Sequence, residues 1–245
     1  MKFLLISDLD DTIKISNTQK KLITLYRGIF RKSAFAGMAE LYQELITNAR
    51  DTNDEQCFFL VSSSPPTIRK RIEKFLSFNR FPPAQITLRD WLREKSIPKF
   101  KQAALTTIAN THSAPILLIG DDTEHDPEIF TSFSENYPDR ILNIYIRSVK
   151  DRALPKGARK FYTAFDIACT ELEAGRLTQE QVYIVGNAVL NAEKHSWLIP
   201  DFMKLPPIDF IPFFSQITSA DQTILELWKK IQEKIFLIPR KPGKK

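Results

Sequence analysis

The sequence predicts an α/β protein built on a parallel sheet sandwiched by helices. Four short apolar runs, Phe3–Ile6, Cys57–Val61, Ile116–Gly120 and Ile141–Ile146, have the length and continuity of buried strands. Segments with helical spacing separate them, the alternation that builds parallel sheets through right-handed crossovers. Three of the runs end in polar clusters: Asp8-Leu9-Asp10-Asp11, Ser62-Ser63-Ser64, and the acidic stretch from Asp121 to Glu128. Open α/β sheets bind ligands beyond the carboxyl ends of their strands, so these clusters should gather along one edge.

In chain order, Phe3–Ile6 is the first strand, and the polar run Lys14–Lys21 after Thr12 is a turn. Leu22, Leu25, Tyr26, Ile29 and Phe30 recur at helical spacing, although Gly28 weakens that helix. Met38, Leu41, Tyr42, Leu45 and Ile46 form a cleaner amphipathic helix before the second strand, Cys57–Val61. A basic helix starts at Thr67 with Ile68, Ile72, Phe75 and Leu76 on one face. Phe81-Pro82-Pro83 breaks the chain, Ile86–Leu88 reads as a short strand, and Lys101–Asn110 reads as a helix. The strand Ile116–Gly120 is followed by a helix through Ile129, Phe130 and Phe133, then by the strand Ile141–Ile146.

The character changes near Lys150, which divides the chain into a sheet-building domain, 1–150, and a mainly helical C-terminal extension, 151–245. Within the extension, Phe161–Gly175 and Thr178–Lys194 read as helices, the second with Gly186-Asn187 as a candidate interruption. Trp197–Met203 and Pro206–Phe214 are rich in proline and aromatics and read as extended chain. Thr223–Phe236 is a last amphipathic helix, through Leu225, Trp228, Ile231 and Ile235.

The net charge of +6 favours anionic partners modestly, and the basic residues crowd the last stretch, from Lys229 and Lys230 to Lys245. Zinc-finger spacing and ribonucleoprotein aromatic signatures are absent, so no nucleic-acid partner is expected. The two cysteines, Cys57 and Cys169, lack metal-ligand spacing, which fits a reducing, cytoplasmic setting. The apolar run at the start is too short for a signal peptide, and no stretch reaches the length of a membrane span.

Extended backbone after Ile6 would send Asp8 and Asp10 to the same side of the strand end. Two carboxylates that close repel, and burial makes the repulsion expensive, so a cation or a shared proton is implied. Asp8-Leu9-Asp10-Asp11-Thr12 matches the DxDxT motif of the haloacid dehalogenase superfamily of phosphotransferases, and Ser62 after an apolar strand matches its second motif. Lys101 opening a helix fits the third, and Gly120-Asp121 with Asp126 fits the acidic fourth. More narrowly, Asp8 to Lys14, Gly37-Met38 before Leu41-Tyr42, and Val61 to Pro65 resemble the catalytic domain of actin-patch-associated phosphatidate phosphatases. Phe81-Pro82 leading to Leu88-Arg89-Asp90, and Leu118 to Asp121 leading to His125 to Ile129, extend that resemblance. It covers about Phe3 to Arg147. Ser63 stands where that family commonly has Asn, Pro66 where it tends to have an aromatic, and Asp122-Thr123 where it has Ser-Gly.

The resemblance implies a Rossmann-like, haloacid dehalogenase-like fold without a large cap. It implies a Mg²⁺-dependent phosphomonoesterase with phosphatidate, or a related lipid phosphate, as substrate. A soluble sugar, nucleotide or protein phosphatase on the same scaffold is the alternative, and an inactive phospho-ligand or membrane-binding module is a third reading. Asp8 would be the nucleophile, forming an aspartyl phosphate. Asp10 would protonate the leaving group and then activate water, which needs a pKa above that of Asp8. Lys101 would supply positive charge. Ser62, and the Ser63 backbone N–H at a helix start, would bind the phosphoryl group. Asp8, the Asp10 carbonyl and Asp121 would hold Mg²⁺, with Asp126 a direct or water-mediated helper. Thr12 and Asp122 read as turn residues, His125 as a hydrogen-bonding loop residue and Glu128 as a helix-start acid. Arg89 is open between a substrate anion and an ion pair with Asp90. An open site would suit a substrate presented at an anionic membrane, with the aromatics of 197–214 and the basic C-terminal helix as peripheral contacts; wrapping the core is the other reading of those aromatics.

Overall fold

The structure, a computed structural model, describes residues 2–16, 33–49, 57–210 and 222–237. Its centre is a six-stranded sheet whose strands are all parallel. β1 (Leu4–Ser7), β2 (Phe58–Ser62), β3 (Gln85–Leu88), β4 (Ile116–Asp121), β5 (Ile141–Arg147) and β6 (Ala158–Phe161) lie in the spatial order β3-β2-β1-β4-β5-β6. The chain winds outward from β1 through β3, then returns to place β4 on the other side of β1. That reversal leaves a crevice at the carboxyl ends of β1 and β4, where open sheets of this kind bind ligands.

Every residue of β1, β2 and β4 is buried, as expected of central strands covered on both sides. Strand alternation sorts their side chains into two cores. Leu5, Phe58, Leu60, Leu117, Ile119 and Tyr145 face α1 (Met38–Ala49) and α2 (Arg69–Phe78). Leu4, Ile6, Phe59, Val61, Leu118 and Ile146 face α3 (Ile97–Thr111) and α4 (Asp126–Asn136).

α5 (Ala164–Glu173), α6 (Gln179–Leu190), α7 (His195–Leu198) and α8 (Gln222–Phe236) follow, and buried residues of all four join the first core. β6 is a strand that sequence periodicity does not reveal: Ala158-Arg159-Lys160-Phe161 is half polar, and it pairs with β5 at the sheet's edge. α6 runs unbroken through Gly186. A Cβ there would come within 2.7 Å of the Phe165 ring, so this glycine permits close helix packing rather than an interruption. Reciprocal hydrogen bonds between Thr178 and Gln181 start this helix, at 2.9 and 3.3 Å.

Trp197 sits on α7 rather than on extended chain. The expected helix over 22–30 and the stretch 211–214 lie outside the described residues. Among the described residues, no helix is long and apolar enough to cross a membrane.

Candidate active site

β1 delivers Asp8 to the crevice, and the Asp8 N–H still donates to the Ile119 carbonyl of β4 at 2.9 Å. The chain then turns sharply. Asp11 adopts a left-handed backbone, φ 58°, which aspartate tolerates better than most residues. Its N–H donates to the Lys14 carbonyl at 2.7 Å, while the Ile13 and Lys14 N–H groups return to the Leu9 carbonyl. The turn directs Thr12 Oγ1 at Asp121 Oδ2, 3.1 Å away, so Thr12 both shapes the turn and ties it to β4.

Asp121 ends β4, and its other oxygen accepts from the Thr123 N–H at 2.7 Å and from the Thr123 hydroxyl. Asp126 opens α4. Gly120 makes room for it: a Cβ at 120 would lie 2.6 Å from Asp126 Oδ2 and 2.7 Å from the Phe130 ring. Asp8, Asp121 and Asp126 each bring a carboxylate oxygen within 4.8 Å of the others, and all three are buried.

Lys101 reaches this trio from inside α3, one turn after the helix starts at Ile97 rather than at the helix opening itself. Its ammonium donates to Asp8 Oδ1 at 2.8 Å and to Asp126 Oδ1 at 2.5 Å. Asp126 Oδ2 is buried without a hydrogen-bond partner among the described residues. Burial pushes Asp8 up to about 7, with Lys101 opposing and Asp126 and Asp10 reinforcing the shift. Asp121 is pushed well above the carboxylate range by burial and then by Asp126 and Asp8. Burial works against the Lys101 ammonium, but Asp126 and Asp8 overcome it and raise that group. Three carboxyls share one ammonium, so ionising all of them without a further cation is unfavourable, as the upward shifts of Asp8 and Asp121 reflect. With one of those acids holding an orphaned oxygen, the donor set fits a hard divalent cation at Asp8, Asp121 and Asp126.

Asp10 sits beside this trio in its own cluster. Its Oδ1 accepts from Lys14 Nζ at 3.1 Å and from Ser16 Oγ at 2.5 Å, and its Oδ2 from Ser64 Oγ at 3.2 Å. Ser64 therefore links the serine loop after β2 to the loop after β1. Lys14 and Ser64 lie within the strings that carry the resemblance but were given no role there, although one lies four residues after Asp10 and the other completes the serine triplet. Ser62 is buried, and its Oγ accepts the Ser64 N–H at 3.2 Å.

Ser63 does not stand at a helix start. The helical turn begins at Pro66, which suits the first helical position and, as a proline, holds the preceding Pro65 extended. The Ser63 carbonyl accepts from Trp91 Nε1 at 2.8 Å and Arg89 Nε at 3.4 Å. Arg89 thus braces the serine loop and packs on the Trp91 ring, while Asp90 pairs with Arg93.

Asp122 is a loop clamp, accepting the N–H groups of Val149, Lys150 and Arg152 at 2.8, 2.7 and 3.0 Å. His125 is exposed. Glu128, in the first turn of α4, pairs with Arg152.

Arg147 underlies the whole edge and escaped sequence reasoning. It is fully buried at the end of β5, donating to the Thr12 carbonyl at 2.9 Å and the Tyr162 carbonyl at 2.7 Å. Its guanidinium lies over the rings of Phe35, at 3.8 Å, and Phe161, at 4.6 Å. An arginine ending an apolar strand was the available signal.

The family model for the catalytic domain of phosphatidate phosphatase APP1 matches residues 3–148, which contain every one of these acids together with Lys101 and Ser62. The chain belongs to the APP1 catalytic-domain family. It is similar to phosphatidate phosphatase APP1 of Saccharomyces cerevisiae, 29% identical over 158 residues, 58% of this chain and 25% of that protein. It is also similar to an uncharacterised protein of Schizosaccharomyces pombe, 28% identical over 156 residues, 59% of this chain and 25% of that protein. The chain thus spans about a quarter of the length of these curated relatives. No solved structure matches it. Within the APP1 family match lie β1 to β5. β6 and α5–α8 fall beyond it.

Proposed function

We propose that this chain is a Mg²⁺-dependent phosphatidate phosphatase that works through an aspartyl phosphate on Asp8, on a haloacid dehalogenase-like scaffold. The observation that carries the reading is the buried trio Asp8, Asp121 and Asp126 with Lys101 inserted between two of its members. It lies at the β1/β4 switch point and inside the APP1 family match.

Phosphoryl transfer needs an in-line nucleophile, charge neutralisation and a proton for the departing oxygen. Asp8 supplies a carboxylate oxygen that bonds to phosphorus while the bond to the leaving diacylglycerol oxygen breaks. Asp10 gives that oxygen its proton and then takes one from the water that attacks the phospho-Asp8, which returns Asp8 and releases phosphate. Ser64 and Lys14 hold the Asp10 side chain in position for both transfers. Lys101 offsets charge on Asp8 and on the phosphoryl oxygens, and Ser62 Oγ donates to one of them. Mg²⁺, held by Asp8, the Asp10 carbonyl and Asp121 with Asp126 direct or through water, supplies neutralisation of the phosphoryl oxygens when bound. Asp8 is the carboxyl driven upward by its surroundings, and a cation on that carboxylate would favour its ionised, nucleophilic form.

The test is phosphate release from phosphatidate in mixed micelles, alongside sugar phosphates, nucleotides and phosphopeptides. Magnesium-dependent release from phosphatidate is expected. Release from soluble phosphomonoesters alone would retain the phosphatase and remove the lipid substrate.

A further inference from the structure

The loop after β3 points to a lipid surface. It runs from Arg89 to Lys95 and leaves the sheet at the same edge as the acidic trio, because parallel strands end together. Its position is fixed from below: Trp91 Nε1 and Arg89 Nε both donate to the Ser63 carbonyl, beside the Ser64 that holds Asp10. The Asp90 carboxylate accepts the Leu92 N–H at 3.0 Å, and Glu94 accepts the Asp90 N–H at 3.1 Å. The loop is therefore built, yet it turns its largest apolar groups outward. Leu92 is 85% exposed and Trp91 43% exposed.

The surroundings of these two residues are basic. Arg93 and Lys95 flank them in the loop, and Lys99 follows on the first turn of α3. Arg69, Lys70 and Arg71 lie exposed at the start of α2, which begins at this edge, and Arg69 reaches across to the Ile86 carbonyl of β3 at 3.1 Å. The acids nearby are engaged: Asp90 with Arg93 and the Leu92 N–H, and Glu94 with the Asp90 N–H.

We propose that Trp91 and Leu92 insert into the headgroup region of an anionic bilayer, with the basic residues of the loop and of the α2 start on lipid headgroups, so that the active-site edge faces the membrane. An amphipathic loop carrying an indole and a leucine at its tip and cations at its base has the chemistry of an interfacial anchor. The β3 loop is a contact distinct from the expected one at the C-terminal helix, whose apolar face is committed to the core. α8 turns Ile224, Leu227, Ile231 and Ile235 into the core, and its Lys234 is held by the Leu190 and Ala192 carbonyls. The orientation rests on the lipid-phosphate reading of the site, whereas the docking itself needs no substrate.

The experiment is co-sedimentation of the full chain with phosphatidylcholine vesicles, with and without phosphatidylserine, neither of which is a phosphomonoester. Wild type is expected to bind the phosphatidylserine vesicles, less so as salt rises. Leu92→Glu is expected to weaken that binding about tenfold or more, from the lost leucine burial. Arg93→Gln and Lys70→Gln should each weaken it roughly fivefold. All three variants should keep wild-type turnover of a water-soluble phosphomonoester, which also reports that they are folded.

Binding by Leu92→Glu equal to wild type would overturn the proposal, as would equal binding to the two vesicle types. So would a wild type that ignores vesicles and self-associates through Leu92, which would assign the face to a second copy. If vesicles bind through the loop but phosphatidate is not hydrolysed, the substrate reading falls and the docking surface stands. If phosphatidate is hydrolysed while Leu92→Glu binds normally, the reverse holds.

Discussion

Replacing Lys101 by Met tests how far the ammonium holds the acidic trio together. Its Nζ contacts Asp8 and Asp126 at 2.8 and 2.5 Å, and all three groups are buried. Methionine fills most of the same volume but leaves two buried carboxylates facing each other with Asp121 close by. Removing one partner of a buried ion pair costs about 3–5 kcal/mol. In a chain of this size each kcal/mol lowers Tm by about 2–4 °C, so a fall of roughly 6–20 °C is expected in the metal-free protein at pH 8.

The pH dependence has a definite sign. Asp8 in the folded protein is raised to about 7 from an ordinary value of 3.8, so between these values the native state holds a proton that the unfolded chain releases. Stability from this group is complete at low pH and is lost as pH rises through about 7. Without Lys101, which pulls Asp8 down, the loss should be larger and extend to higher pH. The Tm deficit of Lys101→Met should therefore shrink at pH 5, where Asp8 is already protonated. Thermal unfolding followed by circular dichroism in EDTA at the two pH values measures this. A deficit below about 1 kcal/mol at pH 8, the level of an exposed pair, or a deficit that grows toward pH 5, would refute the reasoning.

Adding Mg²⁺ to wild type should raise Tm more at pH 8 than at pH 5, because the cation competes with protons for Asp8 and Asp121; an equal or reversed effect in scanning calorimetry would place the cation elsewhere. Gly120→Ala puts a methyl 2.6 Å from Asp126 Oδ2, so a loss of about 1–3 kcal/mol in urea unfolding and a smaller Mg²⁺-induced Tm shift are expected. Arg147→Met leaves the buried Thr12 and Tyr162 carbonyls without their donor, at about 1–3 kcal/mol each, and loosens the turn that ties Thr12 to Asp121. Its kinetics should show kcat falling with KM little changed, since Arg147 lies beneath the site. Arg147→Lys should not restore it, because an ammonium lacks the fork that reaches both carbonyls.

Much of the sheet was legible because β1, β2 and β4 are buried on both faces and so spell continuous apolar runs ending in polar residues. β6 was not, since an edge strand with Arg159 and Lys160 half-exposed carries no such run. Gly186 looked like a break because intrinsic propensity disfavours glycine in helices. The close approach of Phe165 and Leu227 overrides that preference, and only packing reveals it. In the site, the acids and Lys101 announced themselves through motif spacing. The roles of the supports did not: Lys14 and Ser64 fall inside the matched strings, yet they and Arg147 act through a carboxylate or a carbonyl that folding brings near from elsewhere in the chain or across a turn. Ser63 shows a different mismatch: the resemblance set its backbone N–H at a helix start, whereas the helical turn begins three residues later, at Pro66.

The central claim is that Asp8 carries the phosphoryl group during turnover at a Mg²⁺-completed site. The most direct measurement is acid quenching of the enzyme mixed with phosphatidate and Mg²⁺, followed by reduction with tritiated borohydride, which turns a phosphorylated aspartate into labelled homoserine, and peptide mass spectrometry. Label on Asp8 is expected in the wild type, much less in Asp10→Asn, where the departing diacylglycerol oxygen receives no proton, and none in Asp8→Asn. Phosphate release undiminished in Asp8→Asn, or label on another residue, would contradict the account.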